Sequence, residues 1–108
     1  MPLDDRRRSP RASLDLAVEV RAETASFPAR LRSLSRMGAL IETERPLAIG
    51  SPLRLLVRVT TAELELRGQV IRVSATVLGQ GHELALMFAP LPPSVLASID
   101  LLVDERAT

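Results

Sequence analysis

Short segments in which every second residue is apolar constrain the fold of this chain more than any other feature of its sequence. In the first of them one face carries Leu14, Leu16, Val18 and Val20, and the other carries Asp15, Glu19 and Arg21. Successive side chains of a β-strand point to opposite faces, so this pattern predicts a strand with one face in a core and the other in water.

Five more segments of strand-like composition follow, separated by turn-forming residues. They are Pro28 to Leu34, Ala39 to Thr43, Leu53 to Val59, Leu64 to Val73 and Glu83 to Phe88. In the second strand, alternation groups Ser33 with Ala29 and Leu31, opposite Arg30 and Arg32. Gly68, inside the fifth segment, indicates a bulge or a sharp bend of the kind by which small barrels close.

The end of the sequence changes from strand to helix periodicity. After Pro92 and Pro93, apolar residues recur at helical spacing: Val95, Leu96, Ile99, Leu102 and Val103. A C-terminal helix that lays one apolar stripe on the strands is therefore expected. The whole pattern predicts a mainly all-β fold, a small six-stranded antiparallel β-barrel with a C-terminal α-helix over residues 14–104. Residues 1–13 are polar and contain two prolines, which is typical of a flexible arm.

Composition limits which residue types can form the core and indicates where in the cell the protein resides. The chain has 108 residues, 46% of them hydrophobic, but its only aromatic residues are Phe27 and Phe88, so an aliphatic core in one domain is expected. No cysteine is present, and no stretch is apolar enough to cross or insert into a membrane. We expect a cytoplasmic protein that is neither exported nor membrane-inserted.

The inventory of reactive side chains does not favour an enzyme. The single histidine, His82, lies in a turn, and no second histidine or cysteine is available to share a metal ion. Glu63 and Glu65 share one face of a strand, which is usual for a solvated surface. The sequence has no glycine-rich loop before a helix to hold phosphates. A non-enzymatic protein without a metal or a resident cofactor is predicted.

Arginine is the residue type that points to binding. All fourteen basic residues are arginines, yet the net charge is only +1 and surface aromatics are lacking, which disfavours a general RNA- or DNA-binding barrel. Arg6, Arg7, Arg8 and Arg11 cluster in the arm. Guanidinium groups bind phosphate bidentately or pair with the O6 and N7 edge of guanine. Alone, the cluster also fits a basic tail that aids solubility.

Several segments taken together resemble the PilZ family. Arg7 to Arg11 fits its Arg-x-x-x-Arg motif, and Ser33-Leu34-Ser35-Arg36-Met37-Gly38 fits its Asp/Asn-x-Ser-x-x-Gly motif except at the first position. Gly68 to Arg72 is similar to the family's Gly-x-Val-x-Arg strand. Leu84 to Phe88 is similar to its last strand, with Ala85 where glycine is usual. The resemblance covers about residues 6–103, in the order and spacing that the predicted strands require.

The resemblance implies a receptor for the bacterial second messenger cyclic di-GMP, bound on the outer barrel surface under the arm. Arg7 and Arg11 would bind guanine edges and phosphates. Arg6, just before the motif, is similar to the arginine of the family variant that accommodates an intercalated pair of ligand molecules. Arg8 would add a further contact. Ser35 would contribute its hydroxyl, and Gly38 a turn whose backbone passes close to the ligand. Arm ordering on binding would alter one barrel face for an unidentified protein partner.

Ser33 is the departure from the family pattern, because an acid or amide there normally accepts from guanine N1 and N2. Losing one charge-assisted hydrogen bond costs about 1.5–3 kcal/mol, a roughly 10- to 150-fold weaker affinity, unless a carbonyl or a water replaces it. The alternative function is therefore a PilZ-like adaptor of pilus or flagellar machinery that no longer binds nucleotide. Retained arginines favour the receptor, and Ser33 favours the adaptor.

Overall fold

The computed structural model describes residues 12–59, 62–76 and 81–107. They form six strands and one helix: β1 (Ala12–Ala22), β2 (Ser26–Leu34), β3 (Gly38–Thr43), β4 (Pro52–Val59), β5 (Ala62–Ala75), β6 (His82–Phe88) and α1 (Pro93–Ala107). These elements match the segments that periodicity indicates. The main differences are three strands that are longer than expected: β1 begins at Ala12 instead of Leu14 because Ala12 already pairs with Leu34 of β2, β2 begins at Ser26, and β5 extends from Ala62 to Ala75.

The strands close into a barrel in the order β1-β2-β3-β6-β5-β4, and every neighbouring pair is antiparallel. The predicted fold, a six-stranded antiparallel barrel with a C-terminal helix, is confirmed. Closure follows from pairing β1 with β4, which joins the two end strands of the sheet over Glu19–Ala22 and Leu53–Leu56.

The core is aliphatic and fills the barrel interior. The largest fully buried side chains are Leu31, Leu34, Ile41, Leu55, Leu66, Leu84, Ile99, Val20, Val57 and Val70. Nine of these come from strands, where they occupy the inward positions, and Ile99 comes from α1. Phe27 is the one aromatic residue in the buried cluster. Interdigitated aliphatic side chains suit a barrel of this size, whose interior holds side chains and no cavity for a ligand.

Gly68 lies where the backbones of β5 and β6 approach each other closely. It pairs regularly with Leu53 of β4 and Phe88 of β6, and a Cβ at this position would lie 2.5 Å from the carbonyl oxygen of Met87. The register irregularity in β5 lies between Val70 and Arg72. The bulge expected at Gly68 therefore occurs further along the strand, and the glycine itself lets β6 come near.

Helix α1 packs against the barrel and contacts the β2–β3 turn. Ile99 and Val103 are buried in the common core. Asp100, on the next position of the helix, forms an ion pair with Arg36 of the turn, with 3.1 Å between Nε and Oδ1. In the described ranges no helix is long and apolar enough to cross a membrane. The same residues contain no group of three or more His, Cys, Asp or Glu side chains arranged to hold a metal ion.

Candidate binding site on the barrel wall

Ser33 faces the outside of the barrel because of a bulge. Leu31 pairs with Ile41 of β3, but Ser33 pairs with Leu40 and not with Ala39, so β2 has one extra residue at this point. An extra residue moves the following side chain to the other face of the sheet. Residues directly opposite one another share a face. Ser33 therefore lies on the outer wall. It is buried, as Ala29 and Leu31 are, so simple alternation predicts its burial correctly and its face wrongly.

A single row of paired residues crosses this wall. It runs over β1, β2, β3, β6 and β5 through Ser13, Ser33, Leu40, Ala85 and Arg72. Neighbouring strands are about 4.8 Å apart, so Ser33 and Arg72 are separated by roughly 14 Å across three strand spacings. Between them the row offers the half-buried Leu40 and Ala85, which make a flat apolar surface with polar groups at both ends.

The hydroxyl of Ser33 is buried without a hydrogen-bond partner in the described part of the chain. Ser33 is 8% exposed, and its Oγ is the buried side-chain polar atom left unpaired there. A hydroxyl hidden from water without a partner costs about 1–3 kcal/mol. A buried polar group without a partner calls for an explanation, which can be strain, a bound water or ion, or a role in function.

Ser35 builds the turn that follows β2. Its Oγ accepts hydrogen bonds from the backbone N–H groups of Met37, at 3.1 Å, and Gly38, at 3.3 Å. The Ser35 N–H donates to the Gly38 carbonyl at 2.9 Å, and the residue is 3% exposed. The Ser35 hydroxyl is thus engaged by its own turn, which gives the serine of the motif a shaping role. Its predicted contact with a ligand stays a prediction.

Gly38 begins β3 at a point where no side chain fits. A Cβ there would overlap the carbonyl oxygen of Leu86 on β6. The turn is held to the same strand by the Phe88 N–H, which donates to the Met37 carbonyl at 2.9 Å. The glycine of the motif is therefore required by the packing of β3 on β6, and it fixes the turn beside the row that carries Ser33.

Arg72 is a candidate site residue to which the sequence analysis assigns no contact, although it ends the segment Gly68 to Arg72 that resembles a family strand. Strict alternation from the buried Val70 would point Arg72 into the core, but the irregularity between them turns it outward, opposite Ala85. Seven other described arginines form ion pairs: Arg21, Arg30, Arg32, Arg36, Arg54, Arg58 and Arg67. No ion pair of Arg72 occurs among the described residues. Its guanidinium is available to an anionic or aromatic ligand.

The arginines beside the site on β2 are neutralised. Arg30 donates to Asp15 Oδ1 from Nε at 2.8 Å and from Nη2 at 2.6 Å. Arg32 lies 3.5 Å from the same carboxylate oxygen and 3.9 Å from Glu42. The hydrogen bond from Arg30, with the charges of both arginines, lowers the pKa of Asp15 below its ordinary value. Arg30 and Arg32 are thus paired with carboxylates, and Arg72 is the cation of the row without an ion pair among the described residues.

The predicted arm residues Arg6, Arg7, Arg8 and Arg11 lie outside the described residues. The first described residue, Ala12, pairs with Leu34 between Ser33 and Ser35. The chain therefore enters the barrel next to both serines. Of the residues predicted to bind, the structure brings Ser33, Ser35 and Gly38 together, and it adds Arg72 from a distant strand.

The fold and the site together define a closed β-barrel domain with a candidate binding surface on its outer wall. A family model described as the PilZ domain matches residues 5–105, so the chain belongs to the PilZ family. Comparison with curated proteins finds no match.

Solved structures share this fold at low sequence identity. The inhibitor of motility MotI/DgrA of Bacillus subtilis is 17% identical with a TM-score of 0.82, over 94% of this chain and 51% of that one. The PilZ domain of YcgR from Escherichia coli, solved with c-di-GMP, is 19% identical with a TM-score of 0.76, over 94% and 92%. The K. pneumonia MrkH complex with c-di-GMP is 17% identical with a TM-score of 0.74, over 92% and 51%. The chain thus spans about half the length of MotI and MrkH.

Proposed function

We propose that this protein is a non-enzymatic cytoplasmic receptor for cyclic di-GMP, which binds on the outer wall along the row from Ser33 to Arg72. Membership of the PilZ family and the c-di-GMP complexes of YcgR and MrkH support this function. The observation that carries it is that one surface row contains both a buried Ser33 hydroxyl without a hydrogen-bond partner and an Arg72 without an ion pair among the described residues. Such a row offers a hydrogen-bonding group at one end and a cation at the other.

Each site residue has a distinct task in this proposal. Arg7 and Arg11 of the arm bind guanine edges and phosphates as bidentate forks. Arg6 and Arg8 make additional contacts, Arg6 with the second molecule of an intercalated ligand pair. These four tasks are inferred from the Arg-x-x-x-Arg motif. The arm joins β1 beside Ser33, which supports its closing over the same row.

The barrel residues receive the ligand. Ser33 hydrogen-bonds a guanine base in the position where the family usually has an acid or an amide. Ser35 and Gly38 hold the turn in the shape that the ligand contacts, and the Ser35 hydroxyl reaches the ligand if that turn adjusts. The flat apolar surface of Leu40 and Ala85 suits a purine ring, over which the Arg72 guanidinium stacks.

The signal leaves through the arm. In the proposed mechanism the arm orders when cyclic di-GMP binds, and this changes one barrel face for a partner protein. Control of motility fits the name of one similar protein, since MotI is an inhibitor of motility. Hydrogen exchange of the arm amides with and without ligand tests this mechanism. Equal exchange in both states would rule it out.

Calorimetric titration with cyclic di-GMP, with GTP and cyclic AMP as controls, tests the receptor function. Saturable, selective heat is expected, and a stoichiometry near two ligands per chain would support the role of Arg6. Arg72→Gln should weaken binding about 10-fold or more, because a charge-assisted contact is lost. Arg58→Gln is the matched control, since Arg58 is also exposed on a strand but lies on β4, away from the row. Equal loss in both variants would contradict the proposed site.

A ligand-blind adaptor is the second candidate, and one observation favours it. Ser33 replaces the acid or amide of the motif, and its hydroxyl is short. If no heat is detected up to about a hundred micromolar ligand, which corresponds to a binding free energy weaker than roughly −5.5 kcal/mol, the adaptor becomes the better function. Ser33→Asp should then restore measurable binding.

A further inference from the structure

Three arginines lie side by side on a part of the barrel away from the row of Ser33. Arg21 of β1 is directly opposite Arg54 of β4, and Arg54 is directly opposite Arg67 of β5. Neighbouring strands are about 4.8 Å apart, and like charges in directly opposite positions repel each other. A row of three cations on one sheet is therefore unfavourable in itself.

Two carboxylates serve these three guanidinium groups. Glu19 lies 3.3 Å from Arg21, while Glu65 is shared by Arg54, at 3.5 Å, and Arg67, at 3.4 Å. The three arginine side chains are 50%, 51% and 72% exposed. Each guanidinium has five N–H donors, so most of the donors in this row face solvent. The row is only partly neutralised and remains able to bind carboxylates.

The same three arginines line a surface groove of about 700 Å³. Glu23 is the one carboxylate among the described lining residues, and with the ion-paired Glu19 and Glu65 beside the groove the three arginines face three carboxylates. The capacity for an anion therefore lies in the guanidinium N–H donors that face solvent and not in a net positive charge. The exposed Met87 and the half-buried Phe88 supply an apolar part. Arginine, methionine and an aromatic residue are the types enriched where proteins bind one another.

The groove borders the proposed cyclic di-GMP site through one residue. Met87 lines the groove and pairs with Gly38 at the end of the β2–β3 turn. On its other side Met87 pairs with Gln69 of β5, which also lines the groove. A molecule in the groove therefore contacts β6 directly beside the turn that holds the candidate ligand site.

We propose that this groove binds an acidic, extended peptide segment of a partner protein. Alternate residues of an extended chain are about 6.8 Å apart and the arginine row is roughly 10 Å long, so closely spaced carboxylates reach two of its three guanidinium groups. Apolar residues between the acids face Met87 and Phe88. The small net charge of +1 disfavours a long polyanion such as RNA as the occupant. The coupling of this groove to cyclic di-GMP rests on the proposed function, but the peptide site itself does not.

Fluorescence anisotropy with a labelled peptide of alternating glutamate and leucine tests the groove, with the glutamine version of that peptide as control. The acidic peptide should bind more weakly as salt is raised, and the glutamine peptide should not bind. The double variant Arg54→Gln/Arg67→Gln should lose about tenfold in affinity, as expected for two exposed ion pairs. Arg58→Gln should change it less than about twofold, because Arg58 has the same charge on the same face of β4 outside the groove.

The remaining outcomes separate this proposal from the receptor function. Equal loss in Arg58→Gln and the double variant, or no binding to the unmodified protein, would refute the groove. Equally tight binding of a labelled single-stranded RNA with the same arginine dependence would refute an acidic peptide as its occupant. Binding of cyclic di-GMP without peptide binding would support the receptor function and refute the peptide-binding role of the groove. Peptide binding in a protein that does not bind cyclic di-GMP would support the peptide-binding role of the groove and refute the receptor function. Melting temperatures of all variants should match the unmodified protein.

Discussion

Ser33 and Ser35 are both buried serines two positions apart, and replacing each by alanine should change stability in opposite directions. In Ser33→Ala a buried hydroxyl without a partner among the described residues is removed. The cost of hiding that group, about 1–3 kcal/mol, is relieved, so the free energy of unfolding should rise by about 1–2 kcal/mol. For a domain of this length that corresponds to an increase in melting temperature of roughly 4–9 °C.

Ser35→Ala is the matched control because it removes a hydroxyl that is fully used. The backbone N–H groups of Met37 and Gly38 would lose their acceptor. Loss of the acceptor, above all for the buried Gly38 N–H, should lower the free energy of unfolding by about 1–3 kcal/mol. Both variants delete a serine Oγ at similar burial, so both lose similar packing. If their changes in the free energy of unfolding have opposite signs, the difference must come from hydrogen bonding.

Denaturant unfolding of the ligand-free protein, followed by circular dichroism, measures both effects. Calorimetry then measures cyclic di-GMP binding, which Ser33→Ala should weaken about 2- to 12-fold if the hydroxyl bonds the ligand. A Ser33→Ala protein that is more stable but binds cyclic di-GMP more weakly would indicate that the Ser33 hydroxyl finds its hydrogen-bond partner in the ligand. If Ser33→Ala destabilises the protein as much as Ser35→Ala does, the Ser33 hydroxyl has a partner in the free protein, and the reasoning fails.

Three further predictions concern the arm, the turn and the β2 network. Arg7→Ala or Arg11→Ala should abolish cyclic di-GMP binding and leave the melting temperature of the free protein almost unchanged; a fall of many degrees in thermal denaturation would make the arm structural. Gly38→Ala should cost about 3 kcal/mol or more of unfolding free energy, since its Cβ overlaps a backbone oxygen, and a near-neutral denaturation curve would contradict the tight packing of β3 on β6. Because its pKa is lowered, Asp15 should stabilise the fold above its unfolded pKa of 3.8 and lose that effect as pH falls through the lower folded pKa. Asp15→Asn should then unfold more easily than the unmodified protein near about pH 6 but equally easily at low pH, and a constant difference across the pH range would contradict this assignment.

The parts of the fold that sequence alone predicts are those with local, repeated signals. Leu14 to Val20 alternate without interruption, and Ile99 and Val103 recur at helical spacing, so their elements follow from side-chain periodicity. The barrel then follows from six such strands with short turns. Family motifs add the order of the elements and the choice of Ser33, Ser35 and Gly38.

The parts that sequence does not predict depend on register. Bulges before Ser33 and Arg72 turn both residues to the outer wall, and alternation alone assigns both to the core. A bulge depends on how two strands fit, so no single strand's pattern contains it. The arginine row is hidden for the same reason, because Arg21 and Arg54 meet only when β1 pairs with β4.

The seam that closes the barrel has a consequence for how the molecule folds and opens. Pairing between β1 and β4 is confined to Glu19–Ala22 and Leu53–Leu56, whereas β4 and β5 pair along the whole length of β4. The seam has four residue pairs, fewer than the six that join β3 to β6, the other junction between strands distant in sequence. Closing a long loop for so few contacts is slow. The β1–β4 seam should close late in folding and be the first to separate in native-state fluctuations. Amide hydrogens of β4 that face β1 should then exchange with solvent faster than those that face β5, and equal exchange on the two edges of β4 would contradict a weak seam.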